Sequence, residues 1–123
     1  MLAFAYAPAN LLAALLPNIE RASVTQWKIV GYLLSSTHPE GAGKAKFFMA
    51  QGFSIRQWEM LARALMLHAA NNEVSSTVHS TYGTKYIVDG RLECPNADKV
   101  NVRVIWIMDK DSDSPRLVTA YAI

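Results

Sequence analysis

The stretch NVRVIWIMDKDSDSPRLVTAYAI at residues 101–123 decides the fold, because it contains two strand-like segments joined by a polar turn. The first segment is apolar on both faces, which is typical of a central strand that is covered on both sides over most of its length. Residues 109–115 are rich in Asp and Ser, and this composition predicts a loop that returns the chain antiparallel. One face of the first strand is expected to carry Val102, Val104, Trp106 and Met108.

Three helical segments precede these strands. Thr25 is a candidate N-cap for a helix over 26–34, and a second helix is expected over 44–51. Ser54 and Gln57 together make a capping box, which predicts the start of a third helix. The residues expected to face the core are Trp27, Val30, Gly31 and Leu34 on the first helix, and Trp58, Leu61, Ala62, Leu65 and Ala69 on the third.

Beyond the third helix the periodicity changes to that of strands. Residues 74–80 and 84–89 alternate, and Tyr82 and Gly83 mark a tight turn between them. A longer connection is expected over 90–99. Helices first and strands afterwards predict an α+β domain, with about three N-terminal helices packed on a four-stranded antiparallel sheet.

The composition indicates one domain of mild charge. The 123 residues are 51% hydrophobic and 18% charged, and the net charge is +2. A chain of this length can form a hydrophobic core without disulfide bonds or structural metal ions. The charge is too small to indicate nucleic-acid binding by itself, since the usual footprint is a clustered basic patch. The single cysteine fits a reducing compartment, so a cytoplasmic location is expected.

Residues 1–17 carry no charge and are expected to form an apolar N-terminal extension, followed by a single domain over 18–123 that begins with a linker at 18–23. The extension lacks the basic region of a secretory signal and is too short to span a bilayer. A short helix over 10–16 packed on the domain is one expectation, and a mobile extension is another. If it is exposed, the segment from Met1 to Leu16 offers an apolar contact for a partner or a homodimer.

A small group of polar residues lies in the loop after the first helix and at the start of the second. His38 stands beside Pro39, and Lys44 and Lys46 follow. Histidine exchanges a proton near neutral pH, and lysines at a helix start attract phosphate together with backbone N–H groups. The pattern is compatible with a phosphodiester site, and also with an ordinary loop histidine and solvated lysines.

The other two histidines give a weaker signal. His68 follows the apolar stripe of the third helix and is expected to be packed or half-buried. His68, His79 and Asp89 are a conceivable metal set, but their spacing matches no ligand motif. Cys94 stands alone, which excludes an intramolecular disulfide and a cysteine-based zinc site. The sequence therefore predicts neither a metal nor a cofactor.

Several segments, taken together, resemble a family of small bacterial domains of unknown function. They cover almost the whole chain after Leu15: LPNIERA (16–22), YLLSSTHPEGAGKAKFF (32–48), GFSIRQWEMLARALMLHA (52–69), TYGTKYIVDGRL (81–92), VRVIWI (102–107) and PRLVTAY (115–121). That family is in turn similar to the barnase–EndoU–colicin–RelE class of ribonuclease toxins. The resemblance implies helices before an antiparallel sheet, and metal-independent RNA cleavage in which the 2′-hydroxyl attacks and a cyclic phosphate is left.

The resemblance also implies roles for individual residues. His38 would be the general acid or base, and Thr119 would donate a hydrogen bond to the phosphate. Tyr121 would position or stack a base. The cations that would bind the phosphate or its developing charge are Lys44, Lys46 and Lys85, with Arg103 and Arg116 as further candidates. On structural grounds alone, Tyr121 could instead be a core aromatic, Lys85 an exposed sheet residue and Thr119 a strand former.

Two functions follow as hypotheses. The first is a toxin-like endoribonuclease that a neighbouring immunity or antitoxin protein holds in check, and it requires His38 and Thr119 to line one cleft. The second is a non-catalytic protein-interaction domain of a two-component, toxin–antitoxin-like system.

Overall fold

The computed structural model describes residues 14–123 and confirms the α+β class, with the helices N-terminal to the sheet. The helical elements are a 3-10 turn (Ile19–Arg21), α1 (Gln26–Lys28, continuing as a π-helical turn over Ile29–Leu33), α2 (Ala42–Ala50) and α3 (Trp58–Asn71). The strands are β1 (Val74–Ser80), β2 (Gly83–Glu93), β3 (Lys99–Asp109) and β4 (Arg116–Ala122).

The sheet is a four-stranded antiparallel meander in the order β1-β2-β3-β4, so β3 is an interior strand, as its apolar sequence predicts. Val88, Val104 and Ala120 stand opposite one another across the three strands β2, β3 and β4, and all three are fully buried. The opposite face of β3 carries Arg103 and Ile105, which are partly exposed. The sheet therefore has one covered face and one face that is partly open to solvent.

The core lies between the covered face and the helices. Trp106 is the largest fully buried side chain, and α3 packs against β2 through Leu61 and Leu65. Phe48 from α2 and Leu33 from the π-helical turn complete the cluster. Complete burial of each such side chain contributes about 1.5–3 kcal/mol, so these contacts dominate the stability of the domain.

The prediction of the core-facing residues of α1 was right for Leu34, which is fully buried, and wrong for Trp27, which is 68% exposed. Ile29 and Leu33, which were not predicted, are fully buried. Between Trp27 and Leu34 lies the π-helical turn, in which the N–H of Leu34 donates to the carbonyl oxygen of Ile29 at 2.8 Å, five residues back. A turn of this kind rotates the residues that follow it, so the spacing of a regular helix no longer identifies the buried face.

The helix starts were predicted with mixed success. Thr25 caps α1 as expected, because its Oγ1 accepts from the N–H of Lys28 at 3.2 Å. The predicted start of the third helix at Ser54 was wrong, since α3 begins at Trp58. Ser54 Oγ does accept from the N–H of Gln57 at 3.3 Å. Gln57 itself has φ −120° and ψ 49°, which is not helical, so Ser54 closes a separate turn.

The connection predicted over 90–99 is shorter in the structure, because β2 continues to Glu93 and β3 begins at Lys99. Gly90 lies within the ladder, paired with Val102. A Cβ atom at Gly90 would collide with the side chain of Asn72 at the end of α3. The glycine therefore serves close packing of helix on sheet rather than a turn.

Residues 18–23, which composition suggests are a linker, run along the free edge of β4. The N–H of Ser23 donates to the carbonyl oxygen of Pro115 at 3.0 Å, and its own carbonyl accepts from the N–H of Leu117 at 3.1 Å. Arg21 forms an ion pair with Asp113 in the loop before β4. The segment thus covers part of an edge that would otherwise offer unpaired backbone groups.

The expected helix over 10–16 and the expected contact through 1–16 lie largely outside the described residues. Leu16 is described, and it is buried in the core. The carbonyl oxygen of Ala14 accepts from the N–H of Val74 at 2.9 Å, which places this end of the chain beside β1. Within residues 14–123, no helix has the length and apolar character needed to cross a membrane.

The expectation that His68 is packed is confirmed, because the side chain is only 2% exposed. Its Nε2 donates to the carbonyl oxygen of Gly90 at 3.2 Å, and its Nδ1 has no hydrogen-bond partner among the described residues. Burial lowers the pKa of His68 below its usual value, and this effect outweighs the hydrogen bonds and the nearby Asp89 carboxylate. The histidine is therefore neutral in the folded protein at neutral pH.

We predict that acid weakens the fold through His68. The unfolded chain takes up a proton near pH 6.5 and the folded chain only at lower pH, so stability is lost as the pH falls from 6.5 towards the folded pKa. The loss is at most about 1.4 kcal/mol per pH unit. Urea titrations at pH 7.5 and 5.5 should show a smaller acid-dependent loss in His68→Gln, which keeps a donor for Gly90. His79→Gln, on exposed β1, should behave as the parent, and an unchanged acid dependence in His68→Gln would refute the prediction.

Candidate functional site

Tyr32 is the centre of the candidate site. It lies in the π-helical turn of α1, and its hydroxyl forms a hydrogen bond of 2.9 Å with Oγ1 of Thr119 on β4. The two residues are 87 positions apart in the chain, so this contact joins the helical layer to the edge region of the sheet. π-helical turns often occur at functional sites because they re-aim a side chain that a regular helix would place elsewhere.

The β4 side of this contact is also irregular. Ile105 pairs with Thr119 and Trp106 pairs with Leu117, so Val118 is an additional residue that forms a β-bulge. A bulge of this kind bends the strand and changes the direction of the neighbouring side chains. Bulges are frequent beside active sites for this reason, and here the bulge directly precedes Thr119.

His38 packs edge-on against the Tyr32 ring, with 4.9 Å between the ring centroids. Its Nδ1 accepts from the backbone N–H groups of Glu40 at 3.0 Å and Gly41 at 3.2 Å. Because both neighbours are donors, Nδ1 is unprotonated and the proton of the neutral ring is on Nε2. The ring therefore closes the turn before α2 through one nitrogen and presents an N–H donor through the other.

The structure brings His38 and Thr119 together in one open cavity of about 400 Å³. Tyr32 lines this cavity together with Val118 and Thr119 at the β-bulge. The remaining lining comes from α1 and from the turn before α2, so the full set is Trp27, Lys28, Tyr32, His38, Glu40, Val118 and Thr119. The cavity is lined by an ammonium group, a carboxylate, an imidazole and two hydroxyls.

Two lysines lie against the aromatic rings of the site. The Nζ atoms of Lys28 and Lys44 are 5.2 and 5.5 Å from the centroid of the Tyr32 ring, and Lys44 Nζ is also 5.9 Å from the centroid of Tyr121. Lys44 Nζ donates to the carbonyl oxygen of Glu40 at 3.0 Å. Neither lysine belongs to any of the side-chain ion pairs between residues 14 and 123. Cation–π contacts therefore position both ammonium groups without neutralising them.

The other predicted lysines are not at the cavity. Lys46 is exposed and lies two residues after Lys44 on α2, and residues at that spacing do not share a helix face. Lys85 is exposed on β2, where it pairs with Val78 on one side and Ile107 on the other. Neither residue contributes to the cavity lining, and Lys44 is also outside that lining, although its Nζ atom lies against the Tyr32 ring.

The two predicted arginines are engaged by aspartates. Arg103 makes two hydrogen bonds to Asp89, at 2.8 and 2.9 Å, and Arg116 makes two to Asp109, at 2.7 and 3.0 Å. These hydrogen bonds from arginine lower the pKa of both aspartates. Arg103 also stands opposite Tyr121 in the β3–β4 ladder. The arginines thus orient neighbouring groups, while their own charge is already balanced.

Sequence reasoning missed five residues of the cavity, one of which is Val118 in the β-bulge. Trp27 and Lys28 were assigned to an ordinary helix, and Tyr32 and Glu40 were not singled out, although the last two lie within the segment 32–48 that carries the resemblance. An aromatic residue within reach of lysines on both sides along the chain is a signal that could have identified Tyr32. The π-helical turn brings these side chains together, but no comparable pattern in the sequence predicts that turn.

The described residues contain no group of three or more His, Cys, Asp or Glu side chains placed to hold a metal ion. His79 instead contacts Thr84, with Nδ1 and Oγ1 3.1 Å apart. Cys94 is half-buried after β2, and burial raises the pKa of its thiol, so the thiol is protonated at neutral pH. The candidate functional site is therefore the cavity around Tyr32.

We predict that the hydroxyls of Tyr32 and Thr119 depend on each other energetically. Tyr32→Phe and Thr119→Val should each lower the free energy of unfolding by about 1 kcal/mol, because each leaves a half-buried hydroxyl without its partner. The double variant should cost less than the sum, with a coupling of roughly 0.5–1 kcal/mol in urea denaturation. Tyr82→Phe, at an 80% exposed tyrosine, is the control and should change nothing. Simple additivity would contradict the assignment.

Comparison with known proteins adds to this description. No curated protein matches the chain. Among solved structures, a chain of a contact-dependent growth inhibition toxin–immunity protein complex from Klebsiella pneumoniae 342 has a similar fold, with a TM-score of 0.65 and 17% identity. The match covers 81% of the present chain and 98% of that chain. The model of the domain of unknown function DUF6883 matches residues 15–123, and the chain belongs to this family.

Proposed function

We propose that this chain is a metal-independent, toxin-like endoribonuclease that cleaves RNA through the 2′-hydroxyl in the cavity around Tyr32. The observation that carries the proposal is the convergence of His38 and Thr119 on that cavity, beside Lys28. The similar fold of a chain from a growth inhibition toxin–immunity complex supports a toxin-like or immunity-like role. The resemblance of the sequence to ribonuclease toxins favours the nuclease.

The cations and hydroxyls suit a phosphodiester. Lys28 and Lys44 are free of carboxylate partners within residues 14–123, so their charge is available to a phosphate. Thr119 accepts a hydrogen bond if the Tyr32 hydroxyl donates, and the Thr119 O–H can then donate to a phosphoryl oxygen. In this proposal, the ammonium groups and the Thr119 hydroxyl stabilise the negative charge that develops on the phosphoryl oxygens.

The acid–base roles follow from the tautomer of His38. With Nδ1 held by two backbone N–H groups, Nε2–H suits donation to a phosphoryl oxygen better than acceptance of a proton. Glu40 supplies the carboxylate of the cavity lining, and we assign it as the general base. This refines the role of general acid or base that the resemblance implies for His38.

The proposed step is a transesterification. Glu40 takes the proton of the 2′-hydroxyl, the 2′-oxygen bonds to phosphorus, and the bond from phosphorus to the 5′-oxygen breaks. The leaving oxygen takes a proton from solvent, and the products are a 2′,3′-cyclic phosphate and a 5′-hydroxyl. Every role in this step except protonation of the leaving oxygen falls to a side chain of the protein.

We predict that Lys44 and Lys46 differ sharply in cleavage. Lys44→Gln should lower the rate on a labelled RNA in EDTA by roughly 100-fold, because it removes charge beside the transition state. Lys46→Gln removes the same charge from another face of α2 and should remain close to the parent. Equal loss in the two variants, or cleavage that requires a divalent metal, would refute the assignment.

A second prediction separates the structural and chemical roles of His38. In His38→Asn, the amide oxygen occupies the place of Nδ1 and can accept from the N–H groups of Glu40 and Gly41. We expect the melting temperature to be retained and cleavage to fall by roughly 100-fold, since the Nε2–H donor is lost. His38→Ala should lose both. Full cleavage by His38→Asn would show that the histidine only closes the turn.

The second candidate is a non-catalytic, immunity-like interaction domain, which the toxin–immunity origin of the similar chain also favours. Under this candidate the purified chain leaves RNA intact with or without metal, and it binds a small protein encoded beside it. Under the first candidate such a protein would instead inhibit cleavage by covering the cavity. Cleavage measured with and without that protein distinguishes the two.

A further inference from the structure

Trp27 is a large aromatic side chain placed at the edge of the cavity with most of its surface in solvent. It is 68% exposed, and it lines the cavity together with Lys28 and His38. A large apolar side chain left in solvent loses about 1.5–3 kcal/mol of the free energy that burial would contribute. An exposed indole beside a polar cavity therefore suggests a ligand that covers it.

The indole is supported from below by Gly31, one turn later in α1. A Cβ atom at Gly31 would collide with the six-membered ring of Trp27. The ring therefore lies directly over the backbone of Gly31, which holds one part of it against the helix. A rigid aromatic surface of this kind loses little conformational entropy when a second ring stacks on it.

The charge around the indole selects the class of ligand. Lys28 follows Trp27 in sequence and faces the same cavity, and Lys44 approaches Tyr32 from α2. Neither lysine has a carboxylate partner in the described part of the chain. An aromatic surface beside unpaired cations is the combination that binds single-stranded nucleic acid, in which bases stack and phosphates meet positive charge.

We infer that Trp27 is a stacking platform for a nucleobase adjacent to the phosphate held by Lys28, so that the ligand is a single-stranded segment of nucleic acid. The inference rests on the proposed function for the position of the phosphate. It extends that function by naming the element that selects unpaired over duplex substrate. A base within a duplex has both faces stacked on its neighbours and could not reach the indole.

The test uses a short single-stranded DNA oligonucleotide of mixed sequence. It has no 2′-hydroxyl, so it binds without being cleaved by the proposed step. Trp27 is the exposed indole, whereas Trp58 is half-buried and Trp106 is fully buried. We therefore expect the oligonucleotide to quench tryptophan fluorescence, and the quenching to vanish in Trp27→Phe. Because phenylalanine keeps an aromatic face, affinity measured by anisotropy of a labelled oligonucleotide should fall only slightly.

Trp27→Ala should weaken the binding roughly tenfold, the loss expected for one stacked base. Gly31→Ala should weaken it as well while the protein stays folded, since the methyl group displaces the ring but alanine favours a helix over glycine. Tyr82→Ala removes another exposed aromatic residue, at the β1–β2 turn, and should bind as the parent does. A duplex of the same sequence should bind more weakly than the single strand.

The outcomes are separable from those of the nuclease proposal. Binding that depends on Trp27, without cleavage of RNA, supports the platform and refutes the nuclease. Equal binding by the parent and Trp27→Ala overturns the platform, whether or not RNA is cleaved. The platform is also overturned if no oligonucleotide binds and Trp27 fluorescence shifts only when a purified small protein encoded beside this chain is added. That result would identify the indole as a protein contact.

Discussion

The hydrogen bond between the hydroxyls of Tyr32 and Thr119 connects two departures from regular structure. On one side is a π-helical turn and on the other a β-bulge, and each costs some regular backbone pairing. Together they bring the Tyr32 ring close to the sheet edge, where His38, Lys28 and Lys44 gather around it. Without this contact, the turn before α2 and strand β4 would be neighbours but would not contribute side chains to one site.

Charge is distributed unevenly over the molecule. The net charge of +2 is small, yet two arginines of the sheet and two lysines of the site are held in different ways. Arg103 and Arg116 form two-point contacts with aspartates, as the planar guanidinium favours. Lys28 and Lys44 instead rest against aromatic rings, which hold an ammonium group in place and leave its charge uncancelled. Local pairing, rather than the total, decides which cations can meet an anion.

The sequence predicts the framework better than the site. The interior position of β3 follows from its apolar faces, and the α+β order follows from periodicity, because both depend on local patterns. His38 stood out in its loop, but its pairing with Thr119 came from the family resemblance, since nothing local relates a loop histidine to a threonine 81 positions later. Trp27 was expected to face the core with Leu34, but the π-helical turn between them breaks the regular helical spacing on which that grouping relied. The extra residue in β4 is likewise set by its partner strand.

The hydrogen bond from Val74 to Ala14 has a practical consequence for anything joined to this domain. Ala14 adjoins β1, at the opposite margin of the sheet from β4, so roughly 14 Å of strand spacing separates it from the catalytic candidate Thr119. A carrier joined directly at Ala14 would therefore start at the margin of the sheet away from the cavity. At the carboxyl end, the N–H of Ile123 donates to the carbonyl oxygen of Asn101 at 3.1 Å, so a fusion there starts on the strand that carries Thr119. Attachment at Ala14 is the geometry that keeps a tethered carrier off that strand.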